Sequence, residues 1–248
     1  MNEFALYVGI ASKEKFTHAT HNALARLYAE LPFPHLEDIE PVGGLVLARN
    51  QIAARFLAHE RKPSHLLLVD DDVAGFTAAD VERMMRSGED VIGGPLPSRA
   101  IEVGTIEAAI KRGITGAELL GYLSPLLMQF LPNKIPVRGH LAEVKAVSTG
   151  FLLLSRAALE RMVQELGGAT AELEGRPIVT VFDFAVDGRG QWVGEDFGFC
   201  ERWRSLGGKV YADLDTTLLH LGQQAFGTAP LRERVKHLVT ERDRERLA

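Results

Sequence analysis

Three consecutive carboxylates, Asp70, Asp71 and Asp72, follow directly on an apolar run in the stretch SHLLLVDDDVAGF. Like charges so close repel, and a carboxylate resists burial without a partner, so a cation is expected beside them. Two readings fit the triplet. An acidic turn after a strand is commonly a solvated loop, in which Asp makes Asx-turns and caps the next element; that accounts for Asp71. In the other reading the segment stays extended and alternate residues point the same way, so Asp70 and Asp72 offer two hard oxygen ligands to Mg²⁺ or Mn²⁺ while Asp71 faces away. A cation held there neutralises a diphosphate and stabilises the charge that develops as it leaves. Arg49 adds a guanidinium fork suited to phosphate.

Other chemistries are disfavoured. Neither G-x-G-x-x-G nor G-x-x-x-x-G-K-[ST] occurs, which argues against dinucleotide dehydrogenase and P-loop readings. Cys200 is the single cysteine, so an internal disulfide and a cysteine-based zinc cluster are excluded. A net charge of −5 gives no global reason to expect nucleic acid as a partner. No run approaches the length of a membrane helix, and MNEFALYVGI does not resemble a secretory signal, so a cytoplasmic location is expected.

The elements that must position the carboxylates follow from periodicity. The run HLLLV is a strand covered on both faces, and FALYVGIAS is another. FTHATHNALARLYAELP and VGGLVLARNQIAARFLAHE carry apolar residues at helical spacing, and FTAADVERMMRSG opens with Thr77 as N-cap and Asp80 three residues on. DVIGGP, VKAVSTGFLLLS (bent at Thr149 and Gly150) and KVYADLD read as strands, VFDFAVDGRGQWVGED as a hairpin, and EDFGFCERWRSLGG as a helix. TTLLHLG brings His220 to the end of the sheet region. Strands alternating with helices predict a mainly parallel central sheet, whose ligand site lies at the strands' carboxyl ends. Residues 98–138 read as a helical insertion beside the site and residues 229–248 as a C-terminal helix, all in one domain spanning 1–248.

On these residues the chain resembles the GT-A glycosyltransferases, a Rossmann-like α/β fold. ARNQIAARFLAHERKPSHLLLVDDDV is similar to the family's Arg-Asn helix start, Ala-rich helix and apolar strand ending in D-x-D. DVIGGPLPSR, VKAVSTGFLLLSRAALERM and VGEDFGFCERWRSLGGKVYADLDTTLLHLG are similar to later blocks of family-two-like and phage or bacterial enzymes. The last block also resembles the G-E-[DN] helix and following His of polypeptide N-acetylgalactosaminyltransferases and β-1,4-galactosyltransferases. The resemblance implies that Asp72 and His220 ligate Mn²⁺ or Mg²⁺, with Asp70 facing the metal or the ribose. It sets Arg49 and Asn50 at the border of the nucleotide, Ala11 and Ser12 near the base, Thr149 and Gly150 by the sugar or acceptor, and Glu195 and Asp196 at the reacting centre. The donor it implies is a nucleoside diphosphate sugar, UDP-linked in many metal-dependent relatives, with a hydroxyl acceptor of open identity: a glycan, a lipid-linked sugar, a protein or a modified nucleobase. The extra carboxylate, Asp71, departs from a plain D-x-D.

Each of these residues also has a plainer role open to it. A lone His such as His220 is commonly structural, and Glu195 and Asp196 suit a helix N-terminus, where the dipole stabilises carboxylates. Trp203 belongs to a core stripe, whereas Trp192, directly before the G-E-D turn, either packs inside or offers its face to a sugar ring. Two other functions use the same parts: a nucleotidyltransferase with paired carboxylates and divalent metal, and an inactive sugar-nucleotide-binding module.

Overall fold

The structure is a computed structural model that describes residues 5–12, 16–41, 43–132, 136–166, 171–173, 175–186 and 190–222. The chain runs through β1 (Leu6–Ser12), α1 (His18–Glu30), β2 (His35–Pro41), α2 (Leu45–Ala58), β3 (His65–Asp70), β4 (Val73–Ala74), α3 (Ala78–Arg86) and β5 (Val91–Gly93). It then makes an excursion through α4 (Val103–Lys111), a 3₁₀ segment (Gly116–Tyr122), β6 (Met128–Gln129), β7 (Val137–Arg138), β8 (Leu141–Val144) and β9 (Ala146–Val147). It returns through β10 (Phe151–Ser155), α5 (Arg156–Glu165), β11 (Ala171–Leu173) and β12 (Arg176–Ile178). The last elements are β13 (Ala185–Val186), β14 (Trp192–Val193), α6 (Glu195–Ser205), β15 (Val210–Asp213) and β16 (Leu219–His220).

Eight strands form one sheet in the order β2-β1-β3-β10-β5-β15-β8-β7. Strands β1 and β3 are buried almost throughout, which is why their sequences read as continuous apolar runs and not as alternating ones. Helices α2, α5 and α6 cover one face through Ile52, Phe56, Leu159, Met162, Phe199 and Trp203. Helices α1 and α3 cover the other through Leu24, Leu27, Val81 and Met84. Burial of one such side chain, Phe56 for instance, stabilises the fold by about 1.5–3 kcal/mol. The expected cap of α3 is present in full: Asp80 N donates to Thr77 Oγ1 at 3.2 Å, and Thr77 N donates to Asp80 Oδ2 at 2.9 Å.

The sheet has the expected mostly parallel core, but it is mixed, because β10 and β8 run against the other strands. β1 pairs parallel with β2 and β3, and β5 with β15, but β10 lies antiparallel between β3 and β5, and β8 is antiparallel to β15 and β7. The chain reaches β10 after the long excursion from β5 and not through a helical crossover, so nothing obliges it to run parallel. One consequence bears on the site. Because β10 is reversed, its amino end lies at the same sheet edge as the carboxyl ends of β1 and β3, with Phe151 opposite Val69 and Ala11 opposite Asp70.

The described residues of 98–138 are less helical than expected. Among the described residues, helix is confined to α4 and the 3₁₀ segment; beyond them Leu126 is bridged to Pro97 and β6 is paired to β9. Pro125 removes a donor and biases Ser124 away from helix, so the apolar period of GYLSPLLMQFLP is not continued as helix, and the chain beyond it carries only the Leu126 bridge and the short β6. Strand β2 was not anticipated at all. The C-terminal helix expected over 229–248 lies outside the described residues. Among the described residues no helix is long and apolar enough to cross a membrane.

Candidate active site

The carboxylate triplet is tied down by three separate segments. Asp70 N donates to Gly150 O at 3.0 Å, Asp71 O accepts from Thr17 N at 3.0 Å, and Asp72 O accepts from Leu221 N at 2.8 Å. Strand β3 ends at Asp70, and Asp71 and Asp72 form a turn into β4, so the extended alternation does not continue through the triplet. Each side chain goes its own way.

Asp70 faces the buried guanidinium of Arg49, with Nη2 at 2.9 Å from Oδ1 and 3.2 Å from Oδ2. Arg49 Nη1 reaches Glu195 Oε1 at 2.5 Å, so one cation joins the end of β3 to the start of α6. Arg49 is only 3 % exposed, and its Nε is buried without a partner among the described residues. It therefore acts as a strut between two carboxylates; the expected fork toward phosphate is already directed at protein oxygens. Asp71 accepts a hydrogen bond from Ser12 Oγ at 3.1 Å, on the β1 side.

Asp72 takes the remaining direction. Its Oδ2 accepts from Arg99 Nη1 at 2.7 Å, and its Oδ1 lies 3.4 Å from His220 Nε2. Strand β16 carries His220 there by pairing with β4, Leu219 opposite Ala74 and His220 opposite Val73. His220 Nδ1 lies 2.8 Å from Pro97 O; a carbonyl only accepts, so Nδ1 carries the proton and Nε2 is the atom turned to Asp72. Burial opposes the charge on both groups, but their mutual hydrogen bond outweighs it: Asp72 is held below the usual carboxylate range and His220 above the usual imidazole range. Arg99 lowers Asp72 further and partly offsets the rise in His220.

The pair fits a shared cation. An imidazole whose second nitrogen is fixed by a carbonyl is the usual arrangement of a metal-ligating His. Two ligands each ~2.1 Å from one ion stand about 3.0–3.4 Å apart at octahedral to tetrahedral angles, which brackets the 3.4 Å observed. One carboxylate with one imidazole suits Mn²⁺ better than Mg²⁺, which favours an all-oxygen shell. Among the described residues no group of three His, Cys, Asp or Glu side chains converges as a metal site. Asp70, expected as a third ligand, is turned to Arg49.

The other expected residues gather around this edge in different ways. Gly150 packs on Asp70: a Cβ there would stand 3.1 Å from Asp70 Oδ2. Thr149 is fully buried, and its Oγ1 has no partner among the described residues. Ala11 and Ser12 end β1 and are nearly covered. Asn50 is buried, with Nδ2 donating to Phe182 O at 2.7 Å and Oδ1 accepting from Val181 N at 3.0 Å and Phe182 N at 2.8 Å. Its side chain pins a loop; Phe182 in turn stacks on Phe199 of α6 at 4.7 Å between centroids.

At the start of α6, Asp196 Oδ1 accepts from Phe197 N at 2.7 Å. Burial raises its carboxyl above the ordinary range and the Glu195 charge adds to this, while the Phe197 hydrogen bond and Arg49 pull the other way. A carboxylate with raised proton affinity beside a fixed cation suits a general base. Trp203 is in the core at 2 % exposure, whereas Trp192 is 70 % exposed and lies 5.0 Å from the Phe184 ring. Arg99 was not anticipated as a partner of Asp72. An arginine in a loop carries no periodic signal; the carboxylate triplet alone announced that a cation was needed.

No family model matches the chain, and no curated protein matches it. Among solved structures it is similar to the A197 protein from STIV, at 13% identity over 92% of this chain and 98% of that one, with a TM-score of 0.46. It is also similar to a 4-diphosphocytidyl-2C-methyl-D-erythritol synthase from Anaerococcus prevotii, at 6% identity over 69% and 80% of the two chains, with a TM-score of 0.34. Likenesses this weak say nothing of the activity of the chain. What the chain itself exhibits is a mixed α/β fold with a charged cluster at one sheet edge.

Proposed function

We propose that this chain is a metal-dependent glycosyltransferase that moves a sugar from a nucleoside diphosphate sugar, UDP-linked in the first instance, to an acceptor hydroxyl. The observation that carries the reading is the Asp72–His220 pair, 3.4 Å apart, with His220 Nδ1 anchored on Pro97 O. Asp72 and His220 would hold the cation, which when bound neutralises a departing diphosphate. Arg49 keeps Asp70 and Glu195 in place across the β3–α6 junction. Asp196, with its raised proton affinity, takes the proton of the acceptor hydroxyl as the sugar carbon is attacked from the far side.

Calorimetry with UDP, GDP and their sugars, with and without Mn²⁺, tests this directly. Metal-dependent binding of one of them is expected. Asp72→Ala should abolish it in a chain that still folds, whereas Asp71→Ala, which loses the Ser12 contact on the β1 side, should retain most of it. Absence of metal-dependent binding of any nucleotide would overturn the proposal. Product analysis completes the test: free nucleoside diphosphate marks glycosyl transfer, and pyrophosphate would mark nucleotidyl transfer instead.

A further inference from the structure

Beside Asp72, and bordered by His220, lies an open space. A pocket of about 730 Å³ opens between the segment after β5, the end of the 3₁₀ segment and the approach to β16, and both Arg99 and His220 line it. Its size suits an organic molecule of moderate bulk. Leu126 and Leu218 contribute apolar wall, and Ser98, Ser124 and Thr217 contribute hydroxyls. None of the described residues lining it is Asp or Glu, and Arg99 is its permanent cation.

Arg99 is held at one edge of this space by Asp72. Its Nη1 donates to Asp72 Oδ2 at 2.7 Å and lies 3.5 Å from Leu221 O, and its stem crosses Gly222, where a Cβ would stand 2.9 Å from Arg99 Cδ. The side chain is half-exposed, so the pair is a weak one that another cation can displace. A metal ion on Asp72 would compete with the guanidinium for the same carboxylate. Released, Arg99 faces a pocket free of carboxylates, and its planar fork, with three hydroxyls nearby, supplies more donors than a carboxylate would use.

We propose that this pocket binds a phosphate ester with an apolar body, the phosphate on Arg99 and the body against Leu126 and Leu218, and that Asp72 restrains Arg99 until a cation takes its place. As the seat of the acceptor the pocket rests on the transferase reading; as a binding site it does not. The lining accounts for both halves of the ligand, and the Arg99–Asp72 contact couples the pocket to the metal pair.

The probe is phenyl phosphate, compared with inorganic phosphate and benzyl alcohol, titrated by calorimetry into metal-free protein. Asp72→Ala should bind phenyl phosphate about five- to tenfold more tightly than the parent chain, because Arg99 is set free. The gain should vanish in the double variant Asp72→Ala/Arg99→Ala and return in part with Asp72→Ala/Arg99→Lys. Asp72→Asn should show the same direction and guards against misfolding of the alanine variant. Equal binding by the parent and both Asp72 variants, or a gain that survives loss of Arg99, would overturn the proposal. Inorganic phosphate binding as tightly as phenyl phosphate would remove the apolar half, and benzyl alcohol binding as tightly would remove the anionic half; either also overturns it. No arm contains a sugar nucleotide, so failure here and failure of nucleotide binding are distinguishable.

Discussion

Replacing Asn50 by Ala tests whether the helix that begins at Glu195 is placed by a single buried amide. Asn50 is 3 % exposed, and Val181 and Phe182, whose backbone it binds, are 1 % and 0 % exposed. Neither residue belongs to a strand or helix, so the amide serves groups that no ladder satisfies. Asn50→Ala strips partners from two N–H groups and one carbonyl at 2.7–3.0 Å. At about 1 kcal/mol for each lost bond, and up to about 3 for a group left buried and unpaired, the loss is about 3 kcal/mol. For a domain of this size that lowers Tm by about 6–12 °C. Urea unfolding followed by tryptophan fluorescence reads it, since Trp203, carried by α6, is buried in the core. Asn50→Asp should recover part of the loss, because its oxygen still accepts from Val181 and Phe182 while a second oxygen confronts Phe182 O. An Asn50→Ala chain within about 0.5 kcal/mol of the parent would refute the reasoning and show that the loop is held by Arg202 alone, whose Nη2 donates to Val181 O and Asp183 O at 3.0 Å.

Two further outcomes are expected. Asp196→Asn should lower turnover by roughly 10²- to 10⁴-fold while leaving donor affinity intact, because it removes a proton acceptor and keeps the shape; near-normal turnover, or a product with the anomeric configuration of the donor, would reject the base assignment. Burial lowers the His65 imidazole to about 4, although Asp90 pulls it upward, so the unfolded chain binds the extra proton between pH 6.5 and about 4. Stability is then complete above that window and falls by about 3 kcal/mol as pH drops through it. His65→Gln should show a shallower slope of unfolding free energy across the window; an unchanged slope would place the acid sensitivity elsewhere.

Much of the fold was legible because burial writes itself into the sequence. The strands β1, β3 and β10 are covered on both faces and read as unbroken apolar runs, and α3 announces itself through Thr77 and Asp80. Strand β2 was not legible: HLEDIEP lies at the sheet edge, pairs only with β1, and is mostly part-exposed, so it is made a strand by its neighbour and not by its own composition. The direction of β10 was equally hidden, since an apolar run looks the same read in either sense of pairing. At the site, the family resemblance paired Asp72 with His220, but neither it nor the residue types announced that Arg99 would occupy the second oxygen of Asp72. Asn50 shows the limit most plainly. Its neighbour Arg49 does reach the carboxylate cluster, whereas Asn50 turns to a carbonyl 132 residues along the chain, a partner that no local pattern announces.

His220 reaches Asp72 on a ladder of two residue pairs, and that gives the site a history as well as a geometry. Synthesis delivers the acidic triplet early and the His220 arm about 150 residues later, counted along the sequence. Ser12, Arg49 and Arg99, the side chains that meet Asp71, Asp70 and Asp72, all precede residue 100. A growing chain can therefore give its acidic triplet two arginines and a hydroxyl donor that are already made, and the arrival of His220 completes the pair on which the proposed metal site rests.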